Sequence, residues 1–204
     1  TTDNTDEIAA NAADRVLVVR RKWTHSFSDA RNTALDLADG PWVMTMDADE
    51  DLNPADYDAI REALNSTPDN GGPDLYSCPL LVDPTYGTPS YVHPEFGACG
   101  IVFRDRIFWK PSGVRWRFRV HEGLIFPAKY SYDQFINARF FHRGRMNGEK
   151  SDYYTALLML DHIDFPDEPV PAVMLAESAI GAGDTTRAAK ILDAVDEVRD
   201  ANDQ

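Results

Sequence analysis

Two unbroken apolar runs, Val16-Leu17-Val18-Val19 and Trp42-Val43-Met44-Thr45-Met46, stand out along the chain. Each has the length of a strand, and the absence of polar alternation suits strands covered on both faces of a sheet. Between them Ser26, with Asp29 three residues later, forms a capping pair for a helix through Leu37 that Gly40-Pro41 stops. Asn53-Pro54 opens another helix, with Pro at the first helical position and Tyr57, Ile60 and Leu64 on one face. Ahead of both runs, Thr2 to Glu7 carries capping residues and early acids before Ile8, Ala9, Ala12 and Ala13, a short helix start. Strand, helix, strand, helix in this order predicts right-handed crossovers and an α/β, doubly wound sheet.

After Asn70-Gly71-Gly72-Pro73 the character changes. Leu75 to Val82, Tyr91 to His93, Gly100 to Arg104, Arg115 to Val120 and Phe135 to Phe141 are short strands between Pro and Gly turns, expected as mixed or antiparallel additions. Helical periodicity returns from Lys150 to Ile163. Val173 to Ala182 and Thr185 to Val198 then form a helical hairpin, which resembles one tetratricopeptide unit with Ala176, Ala179, Gly183, Ala188 and Leu192 at packing positions. One such unit cannot bury both its faces, so it is expected to dock on the preceding domain or to begin an array. The division expected is residues 1–165 as the α/β domain and 166–204 as the hairpin.

Composition narrows the function. The 204 residues are 43% hydrophobic and 26% charged, enough for one domain with a real core. A net charge of −14 opposes binding to a polyanion, so nucleic acid is not an expected partner. Cys78 and Cys99 sit in apolar runs and are expected as buried free thiols. No apolar stretch reaches membrane-spanning length and no signal peptide is visible, so a cytoplasmic location is expected. The chain does not begin with Met, and a trimmed or omitted N-terminal stretch is compatible with that.

The second apolar run ends in Asp47, Asp49, Glu50 and Asp51, four acids in five positions. Such carboxylates repel one another, and a hard divalent cation with oxygen ligands relieves the repulsion. Asp47 and Asp49 would project to one side of an extended backbone. The ends of strands in α/β sheets are also where ligands bind. The simpler reading of an isolated D-x-D is a solvated acidic turn.

The surroundings of this segment carry more. Ser26-Phe27-Ser28-Asp29-Ala30-Arg31-Asn32-Thr33-Ala34-Leu35, Ala38-Asp39-Gly40-Pro41-Trp42 and the acidic strand end resemble the family 2 glycosyltransferases of the GT-A fold, which read like "F-S-x-A-R-N-x-A-L … A-x-G-x-W-x-x-x-L-D-A-D-E". Val120-His121-Glu122 resembles the family's "V-H-E" segment, and Phe141-His142-Arg143-Gly144 its later "H-x-G" segment. The resemblance spans Thr1 to about His162. It implies a GT-A (Rossmann-like) mixed sheet flanked by helices and an inverting transfer of a sugar from a nucleotide-sugar donor, UDP-sugar first, to a hydroxyl-type acceptor on a glycan, lipid or protein.

The resemblance also implies roles. Asp49 is the metal ligand, with Asp47 facing the ribose or assisting the metal through water. His142 is a third candidate ligand, and imidazole would tilt the site toward Mn²⁺ over Mg²⁺; the other reading is a strand-end His bonded to backbone. Glu122 is the general base, oriented by His121; the other reading pairs it with Arg117 or Arg119. Arg31 is expected to fork onto phosphate or the base edge, Asn32 to fix the loop around it, and Arg143 to contact the diphosphate. Trp23, Trp109 and Trp116 are candidates to stack on sugars or to fill the core.

Relative to the family the sequence starts late, near a "G-S-T-D-x-T" element, so the first strand, the first helix and most of the second strand are missing. Val16–Val19 and Trp42–Met46 would then lack neighbours, and another chain or an omitted N-terminal segment is expected to complete the sheet. Two other classes compete: a catalytically inactive GT-A domain serving as a binding or scaffold module, and a metal-dependent nucleotidyltransferase, which no Gly-rich phosphate loop recommends.

Overall fold

In the computed structural model, the residues described are 3–67, 74–82, 88–93, 97–127, 133–142 and 151–202. Helices α1 (Thr5–Ala10) and α2 (Phe27–Leu37) precede strands β1 (Trp42–Met44) and β2 (Glu50–Leu52). A 3₁₀ turn at Pro54–Asp56 leads into α3 (Tyr57–Ser66), followed by β3 (Leu75–Val82), β4 (Thr88–His93) and β5 (Gly97–Trp109). Short strands β6 (Arg115–Arg117), β7 (Gly123–Ile125), β8 (Asp133–Phe135) and β9 (Phe140–His142) come next. Helices α4 (Ser151–Asp164), α5 (Pro169–Gly181) and α6 (Thr185–Asn202) end the chain.

The result is a mixed α/β fold whose main sheet runs β1-β5-β3-β9-β2, with β4 beside β5 and β8 beside β3. Long β5 is the spine. It pairs antiparallel with β1 and β4 on one edge and with all of β3 on the other. The parallel ladders are those of β3 with β8 and β9. Helix α3 covers the sheet through Ile60, packed with Leu52, Tyr76, Cys78, Leu80 and Phe140. On the opposite flank α2 places Leu35 against Leu75, Phe108 and Val114.

One expectation fails in an instructive way. Val16–Val19 forms no strand; the segment is irregular and exposed, with Leu17 68% accessible. Strand β1, expected to run through Met46, pairs only with β5 among the described residues and stops at Met44. A backbone run becomes a strand only where a neighbour takes its hydrogen bonds, so apolar sequence without a partner stays irregular. The sheet is the expected mixed one flanked by helices, but most of its ladders are antiparallel rather than the crossover-linked ladders of a doubly wound sheet.

The local signals fared better. Ser26 caps α2, its hydroxyl accepting the Asp29 amide at 3.1 Å. Cys78 and Cys99 are buried free thiols, and burial pushes the Cys78 thiol up to about 12. Trp109, half-buried, packs edge-on against Trp42 at 5.1 Å. No helix among the described residues is long and apolar enough to cross a membrane.

Asp56 ties α3 to the strand side. Its carboxylate accepts from Arg139 Nε (3.0 Å), Nη2 (2.9 Å) and the Arg139 amide (2.9 Å). Burial alone would raise its pKa, but these donors outweigh it and hold the carboxyl below its ordinary range. A depressed carboxylate stabilises above its unfolded pKa of about 3.9 and loses that contribution as pH falls through the folded value. Asp56→Asn should therefore lower stability by about 2–3 kcal/mol at pH 7. In urea unfolding, the gap from the parent should narrow steadily below about pH 4.

Candidate functional site

The acidic segment does not run on as an extended strand. Asp47 to Glu50 is a turn closed by the Glu50 amide donating to the Asp47 carbonyl at 3.1 Å. This sends the two aspartates to different partners, contrary to the same-side projection expected of an extended backbone. Asp47 Oδ1 accepts from Arg31 Nη2 at 2.8 Å, whereas Asp49 Oδ2 faces His142 Nε2 at 3.3 Å. His142 arrives through the β2–β9 ladder, which sets Glu50 opposite it.

Arg31 also donates from Nε to Glu122 Oε1 at 2.5 Å, so one guanidinium holds Asp47 together with a carboxylate 91 residues from Arg31 in the chain. Its Cζ lies 4.9 Å from the Trp116 ring centroid, a stacked cation on an aromatic face. Burial alone would lower the Arg31 pKa, but Glu122 and Asp47 outweigh that and hold it above its ordinary value. The competing partners foreseen for Glu122 are absent: Arg117 pairs with Glu168, and Arg119 with Asp161 and Asp164. Asn32 is a structural brace. Its Nδ2 donates to the Trp116 carbonyl at 2.9 Å and its Oδ1 accepts the Trp116 amide at 3.0 Å. Arg143 lies outside the described residues.

These groups line a cleft of about 360 Å³ whose walls include Arg31, Asp47, Arg106, Trp116, His121 and Glu122. Sequence reasoning missed Arg106 and the role of Glu50. The β3–β5 register slips between Tyr76 and Ser77, leaving Arg106 as the extra residue of a β-bulge. A bulge re-aims a side chain, and here it turns Arg106 onto the Glu50 carboxylate, whose own exposure is 1%. The second Glu50 oxygen accepts the Asp47 amide at 3.0 Å. Glu50 thus holds the acidic turn from inside, and only Asp47 and Asp49 of the cluster's first acids reach outward. The one available signal was Arg-Asp-Arg at 104–106, charge interrupting an apolar strand. Among the described residues, the buried Nε of Arg106 and Nε1 of Trp116 have no hydrogen-bond partner, although both residues line the cleft. Orphaned donors at a cleft wall match a polar ligand rich in acceptors.

Residues 1–77 match the family model described as Glycosyl transferase family 2. Over this stretch the chain is similar to family 2 glycosyltransferases. No curated protein matches the chain. The mixed sheet with its flanking helices agrees with a GT-A type domain. The matched stretch contributes Arg31 and Asp47 to the cleft and Asp49 and Glu50 to the adjoining turn, while Arg106 and Glu122 of the cleft, and His142 beside the turn, come from beyond it.

Family 2 glycosyltransferases use nucleotide-sugar donors and divalent metals. No cluster of three or more potential ligands forms among the described residues, and Asp47 is held by Arg31. Asp49 and His142 nevertheless bring an oxygen and a nitrogen to one point. Mg²⁺ and Mn²⁺ sites built on one or two side chains take the rest of their shell from phosphate oxygens and water, so this donor pair fits the protein's share of such a site.

The Glu50–Arg106 pair is the most buried ionic contact of the site. Glu50→Ala leaves Arg106 buried and unpaired and should cost about 3–5 kcal/mol in urea unfolding. Loss of the fully exposed Asp58 carboxylate in Asp58→Asn should cost under about 0.5 kcal/mol.

Proposed function

We propose that this chain is an inverting, metal-dependent glycosyltransferase, hexosyltransferase-like, that moves a sugar from a nucleotide-sugar donor, UDP-sugar first, to a hydroxyl-type acceptor. The observation that carries the reading is the convergence of Glu122 and Asp47 on Arg31 in one open cleft, with Asp49 and His142 paired on the adjoining turn. In the transfer, Glu122 takes the acceptor hydroxyl proton as the acceptor oxygen bonds to the anomeric carbon. The bond from that carbon to the diphosphate breaks on the opposite side, and its electron pair leaves with the nucleoside diphosphate. Arg31 supplies a guanidinium at the cleft, where a diphosphate can replace its carboxylate partners. A divalent ion held by Asp49 and His142, when bound, would neutralise charge on the leaving group. His121, next to Glu122, is assigned to orient the base or the donor, and Arg143 to the diphosphate.

We further propose that residues 1–165 form the GT-A unit and 166–204 a tetratricopeptide-like hairpin docked on it. A strand from another chain or an N-terminal segment completes the sheet at β1. Support comes from the edge of β1 that no strand among the described residues pairs, and from the exposed run at Val16–Val19, which leaves an apolar groove of about 370 Å³ against α2, lined by Leu17, Val19, Ala30 and Leu37. The buried free thiols suit a reducing compartment such as the cytoplasm.

One observation favours a second reading, an inactive GT-A domain used as a binding or scaffold module: Arg31 occupies both Asp47 and Glu122. Thermal melting separates the two. UDP or GDP at about 100 times Kd should stabilise an intact site by roughly 2.7 kcal/mol in the presence of Mn²⁺ and by less without it. No shift with either nucleotide would favour the scaffold. Glu122→Gln should lower turnover by about 10²–10⁴-fold with nucleotide affinity retained, as measured by calorimetry beside steady-state kinetics. Asp49→Ala should instead abolish the Mn²⁺-dependent part of nucleotide binding.

A further inference from the structure

We infer that the C-terminal helices set the position of the general base, with Asp161 and Arg119 as positioning residues for Glu122; the inference rests on the reading of Glu122 above. Glu122 ends the five-residue connection between β6 and β7, whose last paired residues are Arg117 and Gly123. Two of its residues, Phe118 (φ 75°) and His121 (φ 51°), have left-handed backbone conformations without being glycine. Such conformations persist only where surrounding structure over-determines them.

That surrounding structure comes from α4 and α5. Arg119, between the two left-handed residues, donates its amide to Asp161 Oδ2 at 2.7 Å and its Nη1 to Asp161 Oδ1 at 2.8 Å. Its Nη2 reaches Asp164 at 2.5 Å. Val120 is buried with Leu157, Leu158 and Leu175, and Phe118 meets the Phe165 ring edge-on at 5.7 Å. Arg117 bonds Glu168 at 2.5 Å and lies 4.2 Å over Phe165. From the other side, the Phe27 amide at the start of α2 donates to the Arg119 carbonyl at 2.8 Å. Met174 of α5 reaches the cleft wall beside Glu122.

Asp161 is 0% exposed. A buried ion pair is weak support for stability, since a well-packed apolar residue serves as well. What an apolar residue cannot do is accept the backbone amide and the guanidinium of Arg119 together. That double contact fixes the backbone between Phe118 and His121, and so the direction in which Glu122 leaves the turn.

Hydrogen exchange and kinetics on the full chain test this. In Asp161→Asn, amides of residues 118–122 should exchange at least about tenfold faster, the equivalent of one charge-assisted hydrogen bond, with β3 and β5 unchanged. Turnover of a UDP-sugar should fall by up to about 100-fold, while affinity for UDP with Mn²⁺ stays at the parent value. Arg119→Lys, which keeps the charge and loses the fork, should move both readouts in the same direction and guards against an Asp161 variant that does not fold. Unchanged loop exchange, a rise spread evenly over the sheet in both variants, or a loosened loop with parental turnover would each overturn the inference. A parent chain inactive on every UDP- and GDP-sugar would overturn the assignment of Glu122 as base, and the exchange measurement would still decide the clamp.

Discussion

Arg31 is the contact on which the cleft depends. Its guanidinium carries hydrogen bonds to Glu122 and Asp47 and rests on the Trp116 ring, linking α2, the acidic turn and the β6–β7 connection. Two carboxylates brought this close would repel each other, and the planar fork of an arginine is suited to holding both at once. Because the cation is shared, any anion that enters competes with groups already in place. The cleft is thus electrostatically satisfied yet open to exchange of partners.

A second layer holds the first. Glu50 and Arg106 lie beneath the acidic turn, and their burial gives Asp47 a fixed amide anchor. The bulge in β5 makes this possible, since a regular strand would direct position 106 elsewhere. Asp56 with Arg139 and Asp161 with Arg119 use a related device, with both donors on one residue. In each case a largely buried aspartate accepts both the amide and the guanidinium of a single arginine. In both, one carboxylate fixes backbone and side chain together, with the aspartate buried and the arginine partly exposed.

Much of this was legible in the sequence where the signal was local. The Ser26 cap, the span Leu75 to Val82, the C-terminal helices and the pairing of His142 with the D-x-D segment follow from composition, spacing and family resemblance. Non-local features were not legible. Val16–Val19 has the composition of a strand, but strand formation depends on a neighbour that its own residues do not encode. The acidic turn was misread as extended because the buried role of Glu50 depends on Arg106, 56 residues away. Glu122 was weighed against Arg117 and Arg119, its neighbours in sequence, whereas the helices claim both of those and Arg31 takes the carboxylate.

The brace between Asn32 and Trp116 has its own consequence. A primary amide offers a donor and an acceptor at one short reach, and here it pairs with the backbone of β6 as a neighbouring strand would. A carboxylate of the same shape would set a second oxygen against the Trp116 carbonyl, and a longer amide would overshoot. The position next to Arg31 is therefore narrowed to a single residue type by hydrogen-bond polarity and length.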